Sequence, residues 1–133
     1  MKKILVAYDG GEPARRALDM AADLAEGFGA EVGVVSVIPY HPGRSPIDPW
    51  DDRSVHTAEL AEAQTMLGAR GITTILHEPA GDPAHAIEEV AESHGYDMVV
   101  VGSRGLGAIG RVMQGSVSEH IATHAAASVL ITR

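Results

Sequence analysis

The window 102–115 reads GSRGLGAIGRVMQG and holds five of the chain's 15 glycines, with Ser116 and Ser118 directly after it. Glycine lets main chain and ligand approach with no Cβ between them, and the N–H groups exposed at the start of a helix attract anions. These residue types point to a backbone cradle for the phosphates of a nucleotide. The Ser116 and Ser118 hydroxyls would be donors, and Arg104 and Arg111 would supply charge-assisted contacts.

Three glycine motifs overlap in this window, and context separates them. Gly105, Gly107 and Gly110 spell GxGxxG, but that fingerprint belongs after the first strand of its fold and needs an acidic residue about 20 positions on. The chain ends at Arg133 without one at a following strand end. Gly110 and Gly115 have the spacing of a Walker A loop, yet Ser116 stands where its lysine must be and Val117 where its magnesium-binding hydroxyl must be. The third reading takes Gly102 and Gly105 at a strand end, then Gly115, Ser116 and Ser118 at a helix start, and each of those positions has a physical use.

Other candidates are fewer. Asp9 closes the first apolar run and is placed either to contact a ligand or to cap the helix that Pro13 opens. His120 and His124 have the four-residue spacing of a two-histidine metal site, but the sequence offers no nearby Glu or third ligand to complete it, and no metal site is assigned. His41, His56, His77, His85 and His94 are scattered, with no Ser or Cys placed to form a recognisable nucleophilic triad, so none is assigned catalysis.

Positioning these residues requires alternating strands and helices. Lys3–Tyr8 is a continuous apolar run, the pattern of a strand buried on both faces, and it ends in Asp9-Gly10-Gly11. Ala14, Ala17, Leu18, Ala21, Leu24, Ala25 and Phe28 recur at helical spacing until Gly27 and Gly29. Further strands are expected at 31–38, 72–78, 97–101 and 128–132, with helices over 54–70, from Pro83 behind an Asp82 cap to before Gly95, and from a Ser116 cap to His124. The sum is one α/β domain across residues 1–133, an open five-stranded parallel sheet of order 3-2-1-4-5 with helices on both faces. Ligands in such sheets sit beyond the carboxyl ends of the strands where consecutive strands part, here after the first and fourth strands at Asp9 and Gly102.

Composition narrows the classes further. With one Phe, one Trp and three Tyr, the core must be built from Val, Ile, Leu, Met and many Ala, which suits helices packed closely on a sheet. No cysteine means no disulfide and no thiolate metal site. The apolar run before Asp9 is too short for a signal peptide and no stretch reaches the length of a membrane span, so a cytoplasmic protein is expected. A net charge of −8 disfavours non-specific nucleic-acid binding, and it requires that any phosphate be held by local donors and a metal ion. Pro39, Pro42, Pro46 and Pro49 punctuate a loop up to Trp50 that would serve as a lid or a connector, and Asp51, Asp52 and Arg53 read as the solvated start of the second helix.

The spacing Gly102-x-x-Gly105, nine residues, Gly115-Ser116 resembles the ATP-binding branch of the universal stress protein family, and KILVAYDGGEPARRAL, SVIP and GSVSEHI…SVLITR extend the likeness over nearly the whole chain. The resemblance implies that Asp9 contacts the ribose or phosphate end, that Val37 bonds adenine through its backbone, and that Ala7 and Val101 line the base. It also implies that Gly102, Arg104, Gly105, Gly115, Ser116, Val117 and Ser118 hold ribose and phosphates. One departure is Gly11, where the family commonly has Ser after Asp-Gly. The implied protein is a stress-response sensor binding ATP with Mg²⁺ and hydrolysing it slowly at most. It would form a homodimer through the apolar final strand Ser128–Thr132, an edge that needs pairing or covering. Two rivals remain at this point: a slow ATPase or nucleotidyl-transfer enzyme using the same cradle, and a ligand-free dimerisation module.

Overall fold

The structure is a computed structural model that describes residues 1–39, 53–103 and 116–133. The chain runs β1 (Lys3–Ala7), α1 (Glu12–Phe28), β2 (Glu31–Val35), β3 (Ile38–Pro39), α2 (Arg53–Gly68), β4 (Thr74–His77) and β5 (Ala80–Gly81). It continues through α3 (Pro83–Ser93), β6 (Met98–Gly102), α4 (Ser116–His124) and β7 (Ser128–Thr132). The expected proline-bearing loop and Trp50, Asp51 and Asp52 lie outside the described residues.

The main sheet has the order β4-β2-β1-β6-β7 and every neighbouring pair in it is parallel, which is the order expected for the five principal strands. One expected strand is divided. The run 31–38 pairs in the main sheet only to Val35, after which Ile38–Pro39 pairs with Ala80–Gly81 in a separate two-stranded sheet. The chain drifts there without losing its partner segment, since Ser36 N–H donates to His77 O at 3.1 Å and Ile38 N–H to Pro79 O at 2.8 Å. Pro39 has no N–H to carry a ladder further.

Helix ends follow local chemistry. Asp82 caps α3 by accepting the His85 N–H at 3.2 Å, with Pro83 first in the helix, as expected. Gly29 ends α1 in the left-handed region at φ 67°. Phe28, expected on the inner face of α1, is 60% exposed. It lies beyond Ala25, the last of the inward row Ala14, Ala17, Leu18, Ala21, Ala22 and Ala25.

That alanine row lies in one apolar core, with Ile4, Val6, Tyr8, Val34, Leu60 and Leu67. Leu5, Ala7, Val35, Val99, Val101, Ile87, Val90 and Ile121 form the second core, on the α3 and α4 side. Alternation along the strands feeds both cores, which is why the strands read as unbroken apolar runs. Behind α3, Tyr96 reaches across the sheet: a Cβ added at Gly33 in β2 would fall 1.9 Å from its hydroxyl and 2.5 Å from Cζ. His77 Nε2 is hydrogen-bonded to that hydroxyl at 2.7 Å, and the Lys3 ammonium lies 4.6 Å from the ring centroid. Burial, then the neighbouring His94 and Lys3 charges, holds the His77 pKa below its ordinary value.

Gly33→Ala must therefore displace an aromatic ring, a form of overpacking that costs about 1–3 kcal/mol. Urea denaturation should show this loss in the native background and a much smaller one in Tyr96→Ala, where the ring is gone. Equal losses in both backgrounds would refute the contact.

Candidate functional site

Parallel pairing aligns the strand ends that carry the candidate residues. Val6 is in register with Val100, so Ala7 and Val101 follow side by side, and Ala7 is paired on its other flank with Val35. Val37 lies two residues beyond Val35 on the same edge. Ala7, Val37 and Val101 are 3%, 6% and 1% exposed and share the apolar cluster that Ala84, Ile87 and Ile121 close from below.

Beyond β1 the chain turns sharply. Gly10 adopts φ 80°, and the Gly11 N–H donates to Asp9 Oδ1 at 2.9 Å, closing a turn through the side chain. The cap of α1 is therefore Gly11, which makes no side-chain cap bond, and not Asp9 as one reading of the sequence had it. Two residues of turn separate the carboxylate from the helix end, so its oxygen reaches Gly11 instead of the second or third helical N–H. Asp9 is 9% exposed. Gly11 suits this arrangement because a Cβ there would stand 3.1 Å from Asp9 Oδ1, closer than ordinary contact.

Gly102, at the end of β6, has a use the glycine pattern did not suggest. A Cβ at this position would fall 2.8 Å from Pro13 Cβ and 2.9 Å from Pro13 C. The missing side chain lets the first turn of α1 lie directly on the end of β6. The sheet continues one step further, since the Ser103 N–H donates to Thr132 O at 2.6 Å.

The structure thus brings together Ala7, Asp9, Val37, Val101 and Gly102 along the carboxyl ends of β1, β2 and β6. Arg104, Gly105, Arg111 and Gly115 lie outside the described residues. Ser116, Val117 and Ser118 form the first turn of α4, so Ser116, expected as the cap, is the first residue of the helix itself.

A polar cluster that the sequence reading missed lies at this end of the sheet. The Ser36 hydroxyl donates to Glu59 Oε1 at 3.0 Å and lies 2.8 Å from His56 Nδ1, which is itself 3.2 Å from Glu59 Oε1. With the hydroxyl proton committed to Glu59, His56 Nδ1 carries its own proton, and Nε2 is a buried atom with no hydrogen-bond partner among the described residues. Ser36 and His56 are 2% and 1% exposed, so this order of groups is a tie between β2 and α2, not a nucleophile open to substrate. Glu59 also lines the turn: its Oε2 lies 3.8 Å from where a Gly10 Cβ would be. Next to it, the Tyr8 hydroxyl donates to Glu62 Oε1, on which Arg15 converges at 3.1 Å. Burial and the bond to Glu62 push the Tyr8 pKa up to about 12. His56 and Glu59 are three residues apart on one face of α2, but Ser36 lies 20 residues away beyond β2, and nothing in the spacing signals that it meets them.

The universal stress protein family model matches residues 1–133. A universal stress protein of Thermus aquaticus is 34% identical over 139 residues, covering 99% of this chain and 98% of the relative. A universal stress protein crystallised in complex with cAMP superposes with a TM-score of 0.75 at 27% identity, covering 99% of this chain and 97% of the other. The universal stress protein of Archaeoglobus fulgidus in complex with dAMP shares the fold at TM-score 0.78 and 23% identity, covering 100% and 98%.

Ser36→Ala removes the hydroxyl that His56 and Glu59 share in a buried place, leaving them only each other at 3.2 Å and costing about 0.5–1.5 kcal/mol. Chemical denaturation should report a lower midpoint with an unchanged slope. An unaltered midpoint would mean that the cluster contributes nothing to joining α2 to β2.

Proposed function

We infer that this chain, which belongs to the universal stress protein family, binds an adenine nucleotide at the carboxyl ends of β1 and β6 and acts as a stress-response regulator. The observation that carries this reading is the juxtaposition of the Asp9 turn with the end of β6 where the sheet order reverses. The glycine-spaced segment follows there and leads into α4 at Ser116. That is where open α/β sheets take ligands. The related universal stress protein in complex with cAMP supports the adenine class.

In this reading the preferred ligand is ATP with Mg²⁺. Ala7 and Val101 line the base, Val37 offers its backbone, and Asp9 meets the ribose end. Gly102, Arg104, Gly105, Gly115, Ser116, Val117 and Ser118 surround ribose and phosphates. Arginines and backbone N–H groups bind phosphate without cleaving it, and the P-loop lysine has no counterpart at Ser116, so turnover is slow and the bound nucleotide serves as a signal. The protein works in the cytoplasm as a homodimer joined at β7, an edge strand of the sheet on which Ile131 is 39% exposed.

Mass spectrometry of small molecules released on denaturing the purified protein should find an adenine nucleotide, and calorimetry should find saturable MgATP binding. Gly115→Val and Asp9→Ala should each weaken it roughly tenfold or more, the scale of one charge-assisted hydrogen bond. No released nucleotide and no heat with MgATP, AMP or cAMP would overturn the reading. Steady phosphate release abolished by Asp9→Ala while binding persists would make the protein an enzyme instead.

A further inference from the structure

At the edge of the sheet opposite β7, β4 pairs with β2 on one side and, among the described residues, with no strand on the other. Its last residue, His77, is tied inward through its side chain: Nε2 lies 2.7 Å from the hydroxyl of Tyr96, the ring that reaches across Gly33 of β2. The His77 ring also packs edge-on against His94, the residue that ends α3, with centroids 4.7 Å apart and planes at 61°. His94 Nδ1 lies 3.2 Å from the Val90 carbonyl oxygen, which can only accept, so Nδ1 is the donor and the ring is anchored to α3. The Lys3 ammonium completes the group, since it donates to the His94 carbonyl oxygen and stands over the Tyr96 ring. One cluster of four side chains thus joins β4, α3, β1 and the residues that lead into β6.

We propose that His77, Tyr96 and His94 form a proton-operated latch on β4: with neutral imidazoles the strand end is held to Tyr96 and α3, and proton uptake releases it. Whichever group donates in the neutral bond to Tyr96, a charge on half-buried His77 would be partly withdrawn from water and would face the Lys3 ammonium and His94. Among the described residues the histidines paired with a carboxylate are His56, with Glu59, and His120, with Glu88, so neither latch imidazole has that compensation. The carboxylates around the cluster act on other groups. Asp97 accepts the Lys2 and Lys3 N–H groups, Glu78 accepts the Thr57 hydroxyl of α2, and Glu31 acts on the Tyr96 hydroxyl. On the far flank of His94, Asp82, His85 and Glu89 line a cavity that His94 borders. Burial, then the His94 and Lys3 charges, holds the His77 pKa below its ordinary value. A group that binds its proton less readily when latched than when open favours the latched form in full above the ordinary histidine pKa. That preference is lost as pH falls from there to the lower, latched value.

The strand end also holds the chain beyond β2. His77 O accepts the Ser36 N–H at 3.1 Å and Pro79 O accepts the Ile38 N–H at 2.8 Å. Val37, between them, is the residue whose backbone is proposed to meet adenine, so an open latch loosens the adenine side of that site. Only this consequence rests on the nucleotide reading; the latch itself does not.

The test is made on the full chain without nucleotide, as pH is lowered from about 8 to about 5, the span in which histidine titrates. Hydrogen-exchange protection of the Ser36 and Ile38 amides, corrected for the intrinsic pH dependence of exchange, should fall severalfold in the unaltered protein. It should stay level in His77→Gln, whose amide keeps a hydrogen-bonding end but takes up no proton. Imidazole NMR of the unaltered protein, a readout free of folding defects, should place the His77 midpoint below that of an exposed histidine, and Lys3→Met and His94→Gln should each move it up. An equal fall of protection in His77→Gln, or a His77 midpoint at the ordinary value or unmoved by both variants, would overturn the latch. Absence of nucleotide binding leaves both readouts unaffected, so the two proposals fail separately.

Discussion

The close approach of α1 to the end of β6 is the constraint from which the rest of the candidate site follows. It exists because Gly102 has no side chain to separate Pro13 from the strand. Proline at the start of α1 gives up an N–H that the helix would leave unpaired anyway, and its fixed φ suits the first turn. Its ring and carbonyl then sit where any other residue at 102 would place a Cβ. The contact sets the distance between the Asp9 turn and the segment leaving β6, the two features between which a ligand at the sheet's reversal point would lie.

The second anchor is polar and lies on the α2 side. Ser36, at the point where β2 leaves the main sheet, is joined to His56 and Glu59, while Tyr8 is joined to Glu62 on the same helix. Buried hydrogen bonds of this kind contribute modest net stability but are costly to break singly, which makes them effective at fixing one arrangement. Glu59 stands close to Gly10, so the helix that carries the cluster also borders the Asp9 turn. Docking of α2 and the shape of that turn are therefore parts of one arrangement.

The strands and their order were legible because parallel strands buried on both faces are written as unbroken apolar runs, and Lys3–Tyr8 and Asp97–Val101 are such runs. Local signals were equally readable: Asp82 before Pro83 marked a helix start, and Gly29 marked an end. What spacing cannot encode is a meeting between distant elements. The switch of Ile38–Pro39 to a second sheet depends on Ala80–Gly81, the Ser36 cluster on a helix 20 residues on, and the His120 partner on a glutamate in α3. Gly102 was singled out for backbone approach, yet its immediate neighbour is Pro13, a contact visible only once the helix lies on the sheet.

Charge then separates the two helix starts that border the proposed site. A chain of net charge −8 offers no general attraction to phosphate, so binding depends on local dipoles and donors. The start of α1 already has acceptors beside it: Asp9 accepts the Gly11 N–H, and Glu12, 3.5 Å from Arg16, occupies the first turn. Those carboxylates use the helix dipole in the way a bound anion would. A phosphate brought there would meet like charge, whereas a sugar hydroxyl would meet an acceptor. At α4 the helix opens with Ser-Val-Ser after Gly115, with its carboxylate, Glu119, exposed three residues further on. A nucleotide in the proposed site would therefore find an acceptor for its sugar at Asp9 and the N–H groups of a helix start for its phosphates at Ser116.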